Sequence, residues 1–127
     1  MKPKLYIIMR EDLYDNSPGK MMAQSAHAQA DFDTYVENHY TDNDFRPAHI
    51  QWCAELNFGV TLVLHEPLFM MEEIQDFVKH SGMIVDPTYP YRNHYGKMFA
   101  REEVTCMWAF ATTDEEVEYM QQYKLHC

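Results

Sequence analysis

Lys20, Gln24, His27 and Asp31 are a cation, an amide, an imidazole and a carboxylate set three and four residues apart. On an α-helix, which turns about 100° per residue, they span about 60° and form one narrow stripe. An imidazole titrates near neutral pH and can take a proton from water. A lysine can hold a phosphate or stabilise developing negative charge, and a glutamine can orient a carbonyl or a water. Asp86, which ends the apolar run Met83-Ile84-Val85, is either a second candidate base or the group that orients His27. Together these side chains suit attack of water on a carbonyl carbon. The same stripe also reads as the wet face of an amphipathic helix, with Lys20–Gln24 and His27–Asp31 as ordinary i,i+4 pairs.

Two neighbouring features favour chemistry. Ala23, Ala26 and Ala30 flank the stripe and allow close approach of a ligand. Gly19 places a helix N-terminus beside it, where backbone N–H groups suit an anion or an oxyanion. No metal or cofactor is expected. His27, His49, His65, His80 and His94 lack the spacings of a metal site, and Cys53, Cys106 and Cys127 stand far apart. Ser25 falls on a different helix face from His27, and Gly19-Lys20 lacks the rest of a phosphate-binding loop. Tyr89, Tyr91 and Tyr95 with Arg92, His94 and Lys97 suit either stacking on bases or a loop packed down by its tyrosines.

The elements that must position these residues follow from periodicity and turn signals. Lys4–Arg10 is a short apolar strand buried on both faces. Asp15–Gly19 is a loop, followed by a helix from Lys20 to about Tyr40 and a second from Phe45 to Leu56. Val60–His65 is a strand. Pro67 opens a helix that Ser81-Gly82 ends. Met83–Val85 is a short strand, Pro87–Lys97 is irregular, and Val104–Phe110 is a fourth strand. Thr113-Asp114-Glu115-Glu116 is a capping box for a last helix that turns Val117 and Met120 inward. This alternation predicts one α/β domain over residues 1–127, a three-layer α/β/α arrangement whose four-stranded mixed sheet is mostly parallel with helices on both faces. Its ligand site is expected at the carboxyl ends of the strands.

Arg10-Glu11-Asp12-Leu13, then Gly19-Lys20, Ala23-Gln24 and His27-Ala28 resemble the opening of the type II peptidyl-tRNA hydrolases, without gaps inside the helix motif. Trp52 and the strand after it, Ile84-Val85-Asp86 and Lys124-Leu125 also look like family positions. The resemblance implies metal-free hydrolysis of the ester between a peptide and tRNA, and a homodimer. It implies catalytic roles for Lys20, Gln24, His27 and Asp86, and substrate contacts for Arg10, Asp12, Gly19, Thr88, Arg92 and Lys97. The chain departs from the family pattern after Asp86, where Pro87-Thr88-Tyr89-Pro90 stands in place of Ala-Gly, a basic residue and Thr-Gln. It departs again at His65 and at Phe110-Ala111.

Composition bounds these readings. The net charge is −10, which repels a phosphate backbone at long range. An odd cysteine count and the lack of a signal-like or membrane-length apolar run predict a cytoplasmic protein without membrane attachment. Acidic runs such as Glu72-Glu73 and Asp114–Glu116 would suit a basic protein partner. The alternative function is therefore a repurposed, non-catalytic fold that binds a protein or a small nucleotide. A chain this short would also suit a virus-encoded accessory protein.

Overall fold

Residues 2–13, 17–55, 59–92 and 95–123 are described by the structure, a computed structural model; the side chain of Arg92 lies outside that set. The element order is β1 (Lys4–Arg10), α1 (Pro18–Asn38), α2 (Phe45–Cys53), β2 (Thr61–Glu66), α3 (Leu68–Phe77), β3 (His80–Arg92), β4 (Met98–Ala111) and α4 (Asp114–Met120). The sheet runs β2-β1-β4-β3. Side chains alternate across its strands, so each face builds its own core. Leu5, Ile7, Met9, Cys106, Trp108 and Phe110 meet α1 and α2 on one face. Tyr6, Ile8, Leu64, Met107 and Ala109 meet α3 and α4 on the other.

The expectation of a mostly parallel sheet is corrected. Only β1 and β2 pair in parallel, across the α1–α2 crossover. β4 pairs antiparallel with β1 and with β3, so the mixed sheet is mostly antiparallel. The physical reason is the short connection from β3 to β4, which allows a hairpin and forbids a helical crossover. β4 then inserts between β1 and β3. The three-layer arrangement with helices on both faces stands.

Element boundaries also shift. α1 begins at Pro18, since the Ser17 hydroxyl accepts the N–H of Lys20 and proline suits the first helical turn. α3 stops at Phe77 because Val78 is already extended, and β3 starts at His80. β3 then continues through Pro87 and Pro90 to Arg92, where an irregular loop was expected. Proline is tolerated there because β3 is an edge strand, with register shifts after Ile84 and after Asp86. The capping box forms with a variation. Thr113 accepts the N–H of Glu116, while buried Glu116 reaches Thr112 N at 3.0 Å and Lys79 N at 2.8 Å.

Two contacts on the α1–α2 face carry testable weight. Trp108 Nε1 donates to Asp31 Oδ2 at 2.7 Å, passing over Gly82, its register partner on β3. A Cβ at Gly82 would lie 2.6 Å from that nitrogen and 2.8 Å from that oxygen. Gly82→Ala is therefore expected to destabilise by about 1–3 kcal/mol, read from chemical denaturation. The second contact joins α1, the start of α2 and β3. Buried His80 lies 2.5 Å from the Tyr35 hydroxyl through Nδ1 and 3.1 Å from Asp44 Oδ2 through Nε2. Lys79 and then His80 hold the Asp44 carboxyl down to about 2, below the ordinary 3.8. A carboxylate whose folded value is depressed stabilises the fold above its unfolded value and loses that effect as pH falls through the folded one. Thermal melts of Asp44→Asn should therefore lack the part of the wild-type acid slope that lies between 3.8 and about 2. The effect is modest, because Asp44 is half exposed and water screens the pair.

Candidate functional site

α1 crosses the sheet on the Trp108 face and presents its stripe to β3 and β4. Gln24 is the centre of the stripe, and it is buried, so it is not part of a wet helix face. Its Nε2 donates to Asp86 Oδ2 at 3.0 Å. Its Oε1 accepts the hydroxyl of Thr105 at 2.8 Å and faces His27 Nδ1 at 3.1 Å. An ionised carboxylate only accepts hydrogen bonds, so Asp86 sets the amide with its NH2 toward the carboxylate and its oxygen toward Thr105 and His27. His27 Nδ1 must then donate. In the neutral imidazole this leaves the lone pair on Nε2, the nitrogen that a base needs.

Asp86 therefore reaches His27 through Gln24 rather than by direct contact. Asp86 is itself held on its other oxygen, which accepts the N–H of Thr88 at 2.9 Å. β3 parallels β1 in direction with β4 between them, so Asp86, inside β3, lies toward the end of the sheet at which β1 ends in Arg10. His27 is exposed and lines a groove of about 400 Å³ between α1 and β3.

The remaining candidates are distributed unevenly. Lys20 Nζ donates to the carbonyl of Pro90 at 3.1 Å and sits 5.2 Å from the Tyr89 ring centre, so its charge is anchored to the β3 arm. Arg10 donates to Asp12, to Glu103 and to the carbonyl of Val104, all within 3.0 Å. Asp12 also accepts the N–H of Leu68, which supplies α3 with the cap that Pro67 cannot provide. Arg10 and Asp12 thus tie β1 to β4 and α3. Gly19 lies inside α1 on the surface, with nothing within 4 Å of a Cβ built on it. Thr88 turns back on Asp86, and Lys97 stands exposed at the tip of the β3–β4 hairpin. The side chain of Arg92, and His94, Lys124 and Leu125, lie outside the described residues.

Tyr89 and Tyr91 are packed down, with Leu13, into a small cluster of their own. The packed reading of the tyrosine run holds for these two, whereas Tyr95 is 80% exposed. Thr105 is the site residue that sequence reasoning missed. Its signal was a polar side chain inside the apolar strand run Val104–Phe110, at a fully buried position. Cys106, next to it, donates to the carbonyl of Gln24, and burial pushes its thiol up to about 12, so it is an inert packing group. No group of three or more His, Cys, Asp and Glu among the described residues is placed to hold a metal ion. No helix among them is long and apolar enough to cross a membrane. The chain matches no protein-family model, and no curated protein matches its sequence.

Proposed function

We propose that the groove beside His27 is the active site of a metal-free ester hydrolase acting on a peptidyl-tRNA or a related nucleotide adduct. The observation that carries this reading is the relay from Asp86 through Gln24 to His27, which leaves the lone pair of the neutral ring on Nε2 in an exposed side chain. His27 takes the proton from an attacking water. Asp86 holds Gln24, and Gln24 holds the ring. Burial of Gln24 gives it a positioning role and removes it from contact with the carbonyl or the water. Lys20 contributes positive charge near the β3 arm.

Release of peptide from a peptidyl-tRNA in the presence of a chelator tests the reading. Hydrolysis should persist when metal is removed. No release at high enzyme concentration sinks the proposal.

One set of contacts favours a second reading, a non-catalytic module binding a small nucleotide or a protein. Several cations are paired with acids of the chain itself: Lys2 with Glu55, Arg10 and Arg101 with Glu103, and Lys79 with Asp44. Together with the charge of −10, this weakens the field that a polyanion needs. Binding of tRNA that is undetectable even at low salt would favour this second reading.

A further inference from the structure

We propose that the cavity at the turn from α1 to α2 binds a free α-amino acid with an apolar side chain. The cavity holds about 490 Å³ and is lined by Thr41, Asp42, Asn43, Arg46, Pro47 and Ile50. It lies beyond the last turn of α1, away from the Gln24 relay. His27 and Asn38, the end of α1, are about 16 Å apart along the helix, at a rise of about 1.5 Å per residue. Asp42 and Arg46 stand one helical turn apart, since the N–H of Arg46 donates to the Asp42 carbonyl at 3.0 Å. A carboxylate and a guanidinium at that spacing ordinarily close on each other. These two do not. Among the described residues neither side chain forms an ion pair or a hydrogen bond. Arg46 instead lays its guanidinium over the ring of Tyr40, 4.7 Å from the ring centre. A stacked guanidinium keeps its N–H edge free for a carboxylate, which it can grip through two parallel bonds. Asp44, the other carboxylate of this turn, is held by Lys79 and His80.

One cavity thus carries a positive and a negative group that do not answer each other. A ligand with both charges satisfies both. An α-amino acid presents a carboxylate to Arg46 and an ammonium to Asp42 from the same carbon. The Thr41 hydroxyl and the Asn43 amide also have no hydrogen-bond partner among the described residues, and both can donate to the carboxylate. Pro47 and Ile50 supply an apolar wall for the ligand's side chain, and Ile50 is 53% exposed. A few polar groups beside an apolar wall are the usual make-up of a small-molecule site. Overall charge favours the same ligand. A net-neutral molecule escapes the repulsion that a chain of charge −10 exerts on a simple anion. A simple cation would leave Arg46 unanswered. None of this rests on the hydrolase reading.

Leucine and phenylalanine are titrated into the whole chain while nitrogen-15 amide spectra are recorded. The amides of residues 41–46 and 48–50 should shift and saturate. N-acetyl-leucine lacks the ammonium, and leucinamide lacks the carboxylate. Each should bind about tenfold weaker than leucine or worse, because each leaves one charge of the cavity unanswered. Two variants provide the matching comparison. Arg46→Ala should weaken leucine about tenfold and leave leucinamide unchanged, and Asp42→Asn should weaken leucine and leave N-acetyl-leucine unchanged. Both variants alter side chains that hold nothing else by hydrogen bond or ion pair, so their melting temperatures should stay close to wild type. No saturable shift with either amino acid, or shifts confined to other parts of the fold, would overturn the proposal. Binding of N-acetyl-leucine or leucinamide as tight as that of leucine would overturn it too. The two readings separate cleanly. Peptide release with no shift at 41–50 leaves the hydrolase and removes the amino-acid site, and the reverse result removes the hydrolase alone.

Discussion

His27→Ala should lower kcat for peptidyl-tRNA hydrolysis by about 10²–10⁴-fold, with a much smaller change in KM. His27 supplies the only imidazole on the Gln24 relay, and its ring sits on the surface, so the substitution leaves the core intact. Circular dichroism and the melting temperature should be close to wild type, which separates lost chemistry from lost structure. Asp86→Ala should fall between the variant and wild type. It keeps the imidazole but frees Gln24 to rotate, so the ring divides between tautomers and only part of the population presents Nε2 as the base. If His27→Ala and Asp86→Ala both kept the full rate, the assignment of the base would be wrong.

Phe32→Ala should be the most damaging single change to stability, at about 3–5 kcal/mol in chemical denaturation. Phe32 is fully buried on α1. Its ring packs against Phe45 and Trp52 of α2 and against Trp108 and Phe110 of β4, at centroid distances of 5.1 to 6.5 Å. Removing it opens a cavity where three elements meet and takes away the edge contacts that aromatic rings favour. The same helix carries Gln24 and His27, so a loosened α1 should also reduce any activity. Phe32→Leu should recover much of the lost stability, because it refills most of the volume.

The sequence made some of this legible and hid the rest for definable reasons. β1 was readable because Leu5 to Met9 are buried on both faces, which leaves an uninterrupted apolar run. The last helix was readable because Thr113 and Glu116 satisfy a local rule that needs no tertiary partner, and Val117 and Met120 do turn inward. Pairing direction was not readable. Side-chain periodicity is the same in parallel and antiparallel strands, and the information lay in the short β3–β4 connection. The outer half of β3 was hidden because Pro87 and Pro90 look like breakers to any reading that does not know the strand is an edge.

The site shows the same division. Helical spacing placed Lys20, Gln24 and His27 on one face of α1, which no long-range knowledge is needed to see. It could not show that β3 and β4 cover the middle of that face, which buries Gln24 and turns it from a contact group into a positioning group. The resemblance to the type II peptidyl-tRNA hydrolases implied substrate contacts for Arg10 and Asp12. Their partners, Glu103 and Leu68, lie far along the chain and become visible only in the fold.

The relay makes one commitment that can be read on the protein alone. Nitrogen-15 shifts of the imidazole of His27, recorded at a pH where the ring is neutral, report which nitrogen carries the proton. The Asp86–Gln24–His27 arrangement predicts a proton on Nδ1 and a lone pair on Nε2 in wild type, with a mixture of tautomers in Gln24→Ala. A wild-type ring protonated mainly on Nε2 would contradict the relay, and with it the role of His27 as the base.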